Sequence, residues 1–151
     1  MSDPPATAST AEPSYPCRTL VDVQWGDVDR MQHVNNVVYL RWMETARTRY
    51  FDAIDFGRLA GEGVYPILAS IRCDYRAQLR HPDTISVDCS IARVGRTSAT
   101  HVYRVVSQAQ GKVVAVGEGT WVCFDYGAQR SLPLPAPVLA AIERYEGRSV
   151  R

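Results

Sequence analysis

Residues 25–44 read Trp25-Gly-Asp-Val-Asp-Arg-Met-Gln-His-Val-Asn-Asn-Val-Val-Tyr-Leu-Arg-Trp-Met-Glu44. Two acids (Asp27, Asp29), one imidazole (His33) and two amides (Asn35, Asn36) fall within ten residues. A strand-like run, Thr19 to Trp25, precedes them and a long helical pattern follows. Polar groups this dense at a strand-to-helix junction fit poorly in a core. They suit the N-terminus of a buried helix, where free backbone N–H groups can polarise a carbonyl.

Upstream, Thr19, Val21, Val23 and Trp25 share one face of the run, against Arg18, Leu20, Asp22 and Gln24. Downstream, Asn35 or Asn36 is a plausible N-cap. The stretch to about Ile54 lacks Gly and Pro. Leu40, Met43, Arg47, Tyr50, Phe51 and Ile54 recur at helical spacing. Val38, Trp42 and Ala46 add apolar surface on other faces, so the helix is expected to be largely surrounded by protein. Gly57, Gly61 and Gly63 mark the loop that ends it.

Four strand-like segments follow. Ile67, Ala69, Ile71, Cys73 and Tyr75 alternate in the first. Ile85, Val87, Cys89 and Ile91 alternate with Ser86, Asp88 and Ser90 in the second, which predicts a sheet with one buried face. Ser98–Gln108 and Val113–Phe124 are joined by a hairpin-like turn at 109–112. Ala115, Gly117 and Gly119 share one face of the last strand, where small residues would let a helix lie close. Leu132 to Pro137 is a proline-rich connector and Val138 to Tyr145 a short terminal helix. One strand, one long helix and four antiparallel strands, without βαβ repetition, predict an α+β fold.

The chain has 151 residues, net charge +1, 46% apolar and 22% charged residues. That suits one domain with its own core. The balance gives no electrostatic reason to expect nucleic-acid or membrane partners. Residues 1–16 lack the basic start and apolar stretch of a secretory signal and read as a disordered tail before a single domain at 17–151. The four cysteines have no Cys-x-x-Cys spacing, so reduced thiols and a cytoplasmic setting are expected. His81 and His101 lack ligand spacing; no metal and no cofactor are expected.

The segment from Gly26 to Tyr39 strongly resembles the 4-hydroxybenzoyl-CoA thioesterase-like acyl-CoA thioesterases, and the same junction in plant acyl-carrier-protein thioesterases. The likeness extends to Asp74-Tyr75, to the 93–98 run, and to the final strand with Asp125 and Pro133. It implies the hotdog fold, an antiparallel sheet wrapped around one long central helix. It implies hydrolysis of an acyl-CoA substrate at a site between subunits of a homodimer or homotetramer. It maps the catalytic carboxylate to Asp29 and the helix-start amide that binds the thioester oxygen to Asn36. His33 matches an imidazole implicated in the plant enzymes; their Asn is Met31 here, a departure from that three-residue scheme.

Thioester hydrolysis needs a base or nucleophile, a donor for the developing oxyanion and room for the acyl chain. Asp29 can supply the first, as nucleophile or as base for water. The N–H groups of Asn36 and Val37 can supply the second. His33 would orient Asp29 or the thioester. Asn35, Tyr39, Arg93, Arg96 and Ser98 are candidate substrate contacts, with the arginines facing CoA phosphates. Asp27 reads as a loop hydrogen-bonding residue, and Glu44 as a helix-side polar partner of Arg47 and Thr48. The rival readings are a hotdog hydratase acting on enoyl-CoA and a non-catalytic acyl-CoA-binding module.

Overall fold

The structure, a computed structural model, describes residues 14–151. Residues 1–13 of the expected tail lie outside the described residues. Strand β1 (Cys17–Asp22) leads through a 3-10 turn (Trp25–Asp27) and a loop into α1 (Asn36–Ala53). A short α2 (Phe56–Ala60), β2 (Val64–Tyr75), β3 (Thr84–Val94), β4 (Ser98–Ser107), β5 (Lys112–Asp125), a two-residue β6 (Arg130–Ser131) and α3 (Ala136–Glu146) follow. The sheet is antiparallel in the order β1-β3-β4-β5-β2, with β6 against β5. Its concave face wraps α1, which is the α+β hotdog arrangement.

The expected faces meet at the helix. Tyr39, Trp42, Met43, Ala46, Arg47 and Tyr50 of α1 are buried, as are Ile85, Val87, Cys89 and Ile91 of β3. A Cβ added to Gly117 would lie 2.6 Å from Met43 Cε and 2.9 Å from the Arg72 carbonyl oxygen. At Gly117 the Met43 side chain of α1 therefore presses directly on β5, while the helix backbone itself lies nearer β1 and β3.

Several expectations are corrected. The β1 run stops at Asp22, and Trp25 is 82% exposed because the chain has already turned. The glycine-marked loop after α1 contains α2. Ser86, Asp88 and Ser90 are buried although they lie opposite the core. Arg18 and Arg104 close over Asp88, at 2.9 and 2.8 Å. Ser90 donates to Glu146 Oε2 at 2.7 Å. Glu146 also accepts the Ile91 N–H at 2.6 Å and the Tyr50 hydroxyl at 2.7 Å. The C-terminal end thus seals the part of β3 that extends beyond β1, satisfying edge groups that burial would otherwise penalise. At the other side of the sheet, β2 pairs only with β5, so its outer edge has no strand partner among the described residues.

Arg47 pairs with neither Glu44 nor Thr48. It turns inward and donates to the Tyr103 hydroxyl at 3.1 Å. Fully buried His101 sits beside this cluster, its Nδ1 accepting from Trp121 Nε1 at 3.0 Å. Burial, and then the Arg47 charge, push its pKa down to about 3.

Candidate active site

The loop that carries Asp29 is closed by its own backbone. Val28 and Val34 form an antiparallel bridge, Asp29 N–H donates to the His33 carbonyl at 2.9 Å, and Gln32 N–H donates to the Asp29 carbonyl at 2.9 Å. Gln32 takes a left-handed φ of 63° to complete the turn. Asp29 Oδ1 accepts the Met31 N–H at 2.8 Å. Its other oxygen has no partner among the described residues and the side chain is exposed.

The same loop is pinned to the helix start. Asn35 N–H donates to the Asp27 carbonyl at 2.9 Å, and Val34 N–H to the Leu79 carbonyl at 2.8 Å. Asn35 is the N-cap: its side-chain oxygen accepts the Val37 N–H at 3.0 Å. The cap is at Asn35, as expected of Asn35 or Asn36, and it occupies the Val37 N–H, which was expected to be a free donor. The Asn36 N–H has no acceptor among the described residues and points from the positive end of the helix dipole.

Asp29, His33, Asn36 and Tyr39 line one cleft of about 410 Å³. Val34, Leu79 and Ala77 give it apolar wall. Tyr75, at the end of β2, joins them: its hydroxyl donates to the Asn36 carbonyl at 2.8 Å and its ring meets Tyr39 edge-on at 4.9 Å. Desolvation raises the Tyr75 and Tyr39 hydroxyls to about 12, so both are neutral donors at ordinary pH. The sequence linked Tyr75 only loosely to the site; nothing local signals a contact across the 39 residues that separate it from Asn36.

Asp27 is structural. Its carboxylate is 6% exposed, accepts Gln24 N–H at 2.8 Å and pairs with Arg41 at 2.6 Å. Arg93, Arg96 and Ser98 do not join the site within one chain. They sit where β3 turns into β4, and β3 from Thr84 to Arg93 spans roughly 30 Å at about 3.3 Å per residue. Arg93 instead faces Glu118 at 3.5 Å. No group of three or more His, Cys, Asp or Glu among the described residues is placed to hold a metal.

An N–H at the start of α1, a carboxylate oxygen without a partner among the described residues and an apolar wall are groups that hydrolysis of an activated acyl group would use. Residues 23–142 match the family model of the thioesterase-like superfamily, and the chain belongs to that superfamily. It is similar to the long-chain acyl-CoA thioesterase FadM of Escherichia coli (strain K12), 25% identical over 84% of this chain and 97% of that protein. It is also similar to a thioesterase from Thermus thermophilus solved with coenzyme A and zinc. That chain is 33% identical, with a TM-score of 0.79 over 91% of this chain and 98% of that one. The PA5185 protein of Pseudomonas aeruginosa strain PAO1 superposes with a TM-score of 0.76 at 25% identity, covering 87% of this chain and 91% of that one.

Proposed function

We propose that this chain hydrolyses acyl-CoA thioesters to the free acid and CoA, with Asp29 as the reacting carboxylate. The observation that carries this reading is that Asp29 and the start of α1 at Asn36 line one cleft. A thioester carbonyl set there would meet the Asn36 N–H on its oxygen and a carboxylate at its carbon. As charge develops on that oxygen, a preorganised donor in a partly desolvated cleft lowers the barrier; losing one such donor typically costs ~10²–10³ in rate.

Two routes share this geometry. In one, an Asp29 oxygen attacks the carbonyl carbon, the C–S bond breaks, and the thiolate leaves; water then cleaves the acyl-aspartyl anhydride. In the other, Asp29 takes a proton from water while the hydroxide attacks, and that proton passes on to the departing thiolate. His33, on the same cleft, would orient the carboxylate or the thioester.

We place the working site in a homodimer or homotetramer. The unpaired outer edge of β2 supports this, because a long exposed edge strand is a ready template for a second chain. Tyr65 and Tyr75 on that strand are 54% and 46% exposed. Arg93, Arg96 and Ser98 can reach an acyl-CoA only if a second subunit carries them there. The four unbridged cysteines fit a reducing compartment, the cytoplasm expected from the sequence.

The test is thiol release from a panel of acyl-CoAs of short, long, branched and aromatic type, with wild type and Asp29→Asn side by side. Activity on none of them, or full activity in the variant, defeats this reading.

A further inference from the structure

Asp29 lines two clefts. One is the apolar-walled cleft at the start of α1. The other, about 620 Å³, shares Asp29 with it and is otherwise lined by Trp25, Val28, Gln32, Arg80 and His81. A thioester also has two sides. Its acyl chain needs an apolar wall, and its carrier arm is polar and ends in phosphate.

The second cleft has the chemistry of the carrier side. Arg80 is exposed and makes no hydrogen bond or ion pair with the described residues. By contrast, Arg41 nearby is already held by Asp27. Asp29 is the one acid among the residues lining this cleft. His81 adds an exposed ring N–H donor. The Trp25 indole, 82% exposed, presents a flat apolar face that nothing in the core explains.

We propose that this second cleft seats the phosphorylated pantetheine arm of the substrate, with its phosphate on Arg80 and His81 and the arm against Trp25. The proposal rests on the thioesterase reading above and deepens it. It assigns the carrier to residues of the same chain that holds Asp29, rather than to Arg93 and Arg96 of a second subunit. A guanidinium receives phosphate through paired N–H groups, which a surface arginine free of other partners can offer without breaking anything. The same phosphate is present in coenzyme A and on the prosthetic arm of an acyl carrier protein.

The test is calorimetric binding of coenzyme A, 4′-phosphopantetheine and pantetheine to the full-length protein. The two phosphorylated compounds should bind about tenfold or more tightly than pantetheine, the scale of one charge-assisted contact. Arg80→Ala should erase that difference, and Trp25→Ala should weaken all three. Arg130→Ala, a distant exposed arginine, should change none. Initial rates of Arg80→Ala on acyl-CoA and on acyl carrier protein then name the source: a loss on either one, or on both, supports the site. Coenzyme A affinity within twofold of wild type in Arg80→Ala, or phosphate discrimination lost in Arg96→Ala instead, overturns it. A protein that releases thiol normally yet fails this test loses the carrier cleft alone. One that binds coenzyme A through Arg80 but hydrolyses no thioester loses the catalytic reading alone.

Discussion

Arg41 donates Nη2–H to Asp27 Oδ1 at 2.6 Å, and the other oxygen of that carboxylate accepts the Gln24 N–H at 2.8 Å. One buried acid thereby ties the 3-10 turn to the second turn of α1. It has no oxygen left for chemistry, whereas Asp29, two residues on, has one free.

The two acids should separate cleanly when each is made an amide. Asp29→Asn keeps an oxygen for the Met31 N–H and removes the charge and basicity. Its kcat should fall by ~10² or more with KM nearly kept, because the lost interaction belongs mainly to the transition state. Asp27→Asn should instead lose about 1–3 kcal/mol of stability, since one amide oxygen cannot serve both Arg41 and Gln24. Its kcat should stay within about tenfold of wild type if the loop holds. His33→Ala should fall between the two. Steady-state kinetics and urea denaturation on the three purified variants decide the roles. An inactive, stable Asp27→Asn would exchange the two acids in this account.

Much of this site was legible because its parts are close in sequence. The acid, imidazole and amide spacing marks the loop, and a side-chain oxygen ahead of a Gly- and Pro-free run marks the cap. Of the small face of β5, only Gly117 meets α1, through Met43, and the helix rests mainly on β1 and β3. What was not legible depended on distant contacts. Alternation carried the β1 face on to Trp25, but Asp27 draws the backbone into a turn that leaves the indole outside. Arg47 reads as a surface partner for Glu44, yet the fourth turn of α1 faces Tyr103, which local spacing does not report. The polar face of β3 looked solvated until Arg18, Arg104 and Glu146 came to cover it.

The contact between Met43 and Gly117 gives a packing prediction. A methyl at Gly117 would stand 2.6 and 2.8 Å from the end of Met43, which can move, and 2.9 Å from the Arg72 carbonyl oxygen, which cannot move without displacing β2. Gly117→Ala should therefore destabilise by about 1–3 kcal/mol, as overpacked cores do. Met43→Ala in the same background should recover only part of the loss, because the β2 contact persists. Chemical denaturation of the single and double variants measures both. Full recovery in the double variant would mean that the strand yields freely.

The open edge of β2 gives a prediction about assembly. At micromolar concentration the protein should run as a dimer or tetramer in light scattering. If a second subunit supplies part of the acyl-CoA site, as proposed, thiol release per chain should fall on dilution through the dissociation range. A monomer with undiminished turnover would remove the need for a composite site.

His101 gives a pH prediction. Its ring is fully buried, and burial first, then the Arg47 charge, lower its pKa to about 3 from the ordinary 6.5. Its Nδ1 must also stay unprotonated to accept from Trp121. Well above pH 6.5 the ring is neutral in both the folded and unfolded chain and has no linkage effect. Below that value the unfolded chain takes up a proton that the folded chain refuses, so stability falls as pH drops from 6.5 toward 3. The slope approaches about 1.4 kcal/mol per pH unit. Most carboxylates titrate lower, which leaves roughly pH 5 to 6.5 as the clean window. There the wild type should lose about 1.7 kcal/mol. His101→Gln, which offers Trp121 an oxygen and cannot take the proton, should show a nearly flat profile over the same interval. Its absolute stability is immaterial; the difference in slope is the readout. Parallel slopes for the two proteins would mean that the ring charges without unfolding the chain, and that the enclosure around Arg47 and Tyr103 opens to water.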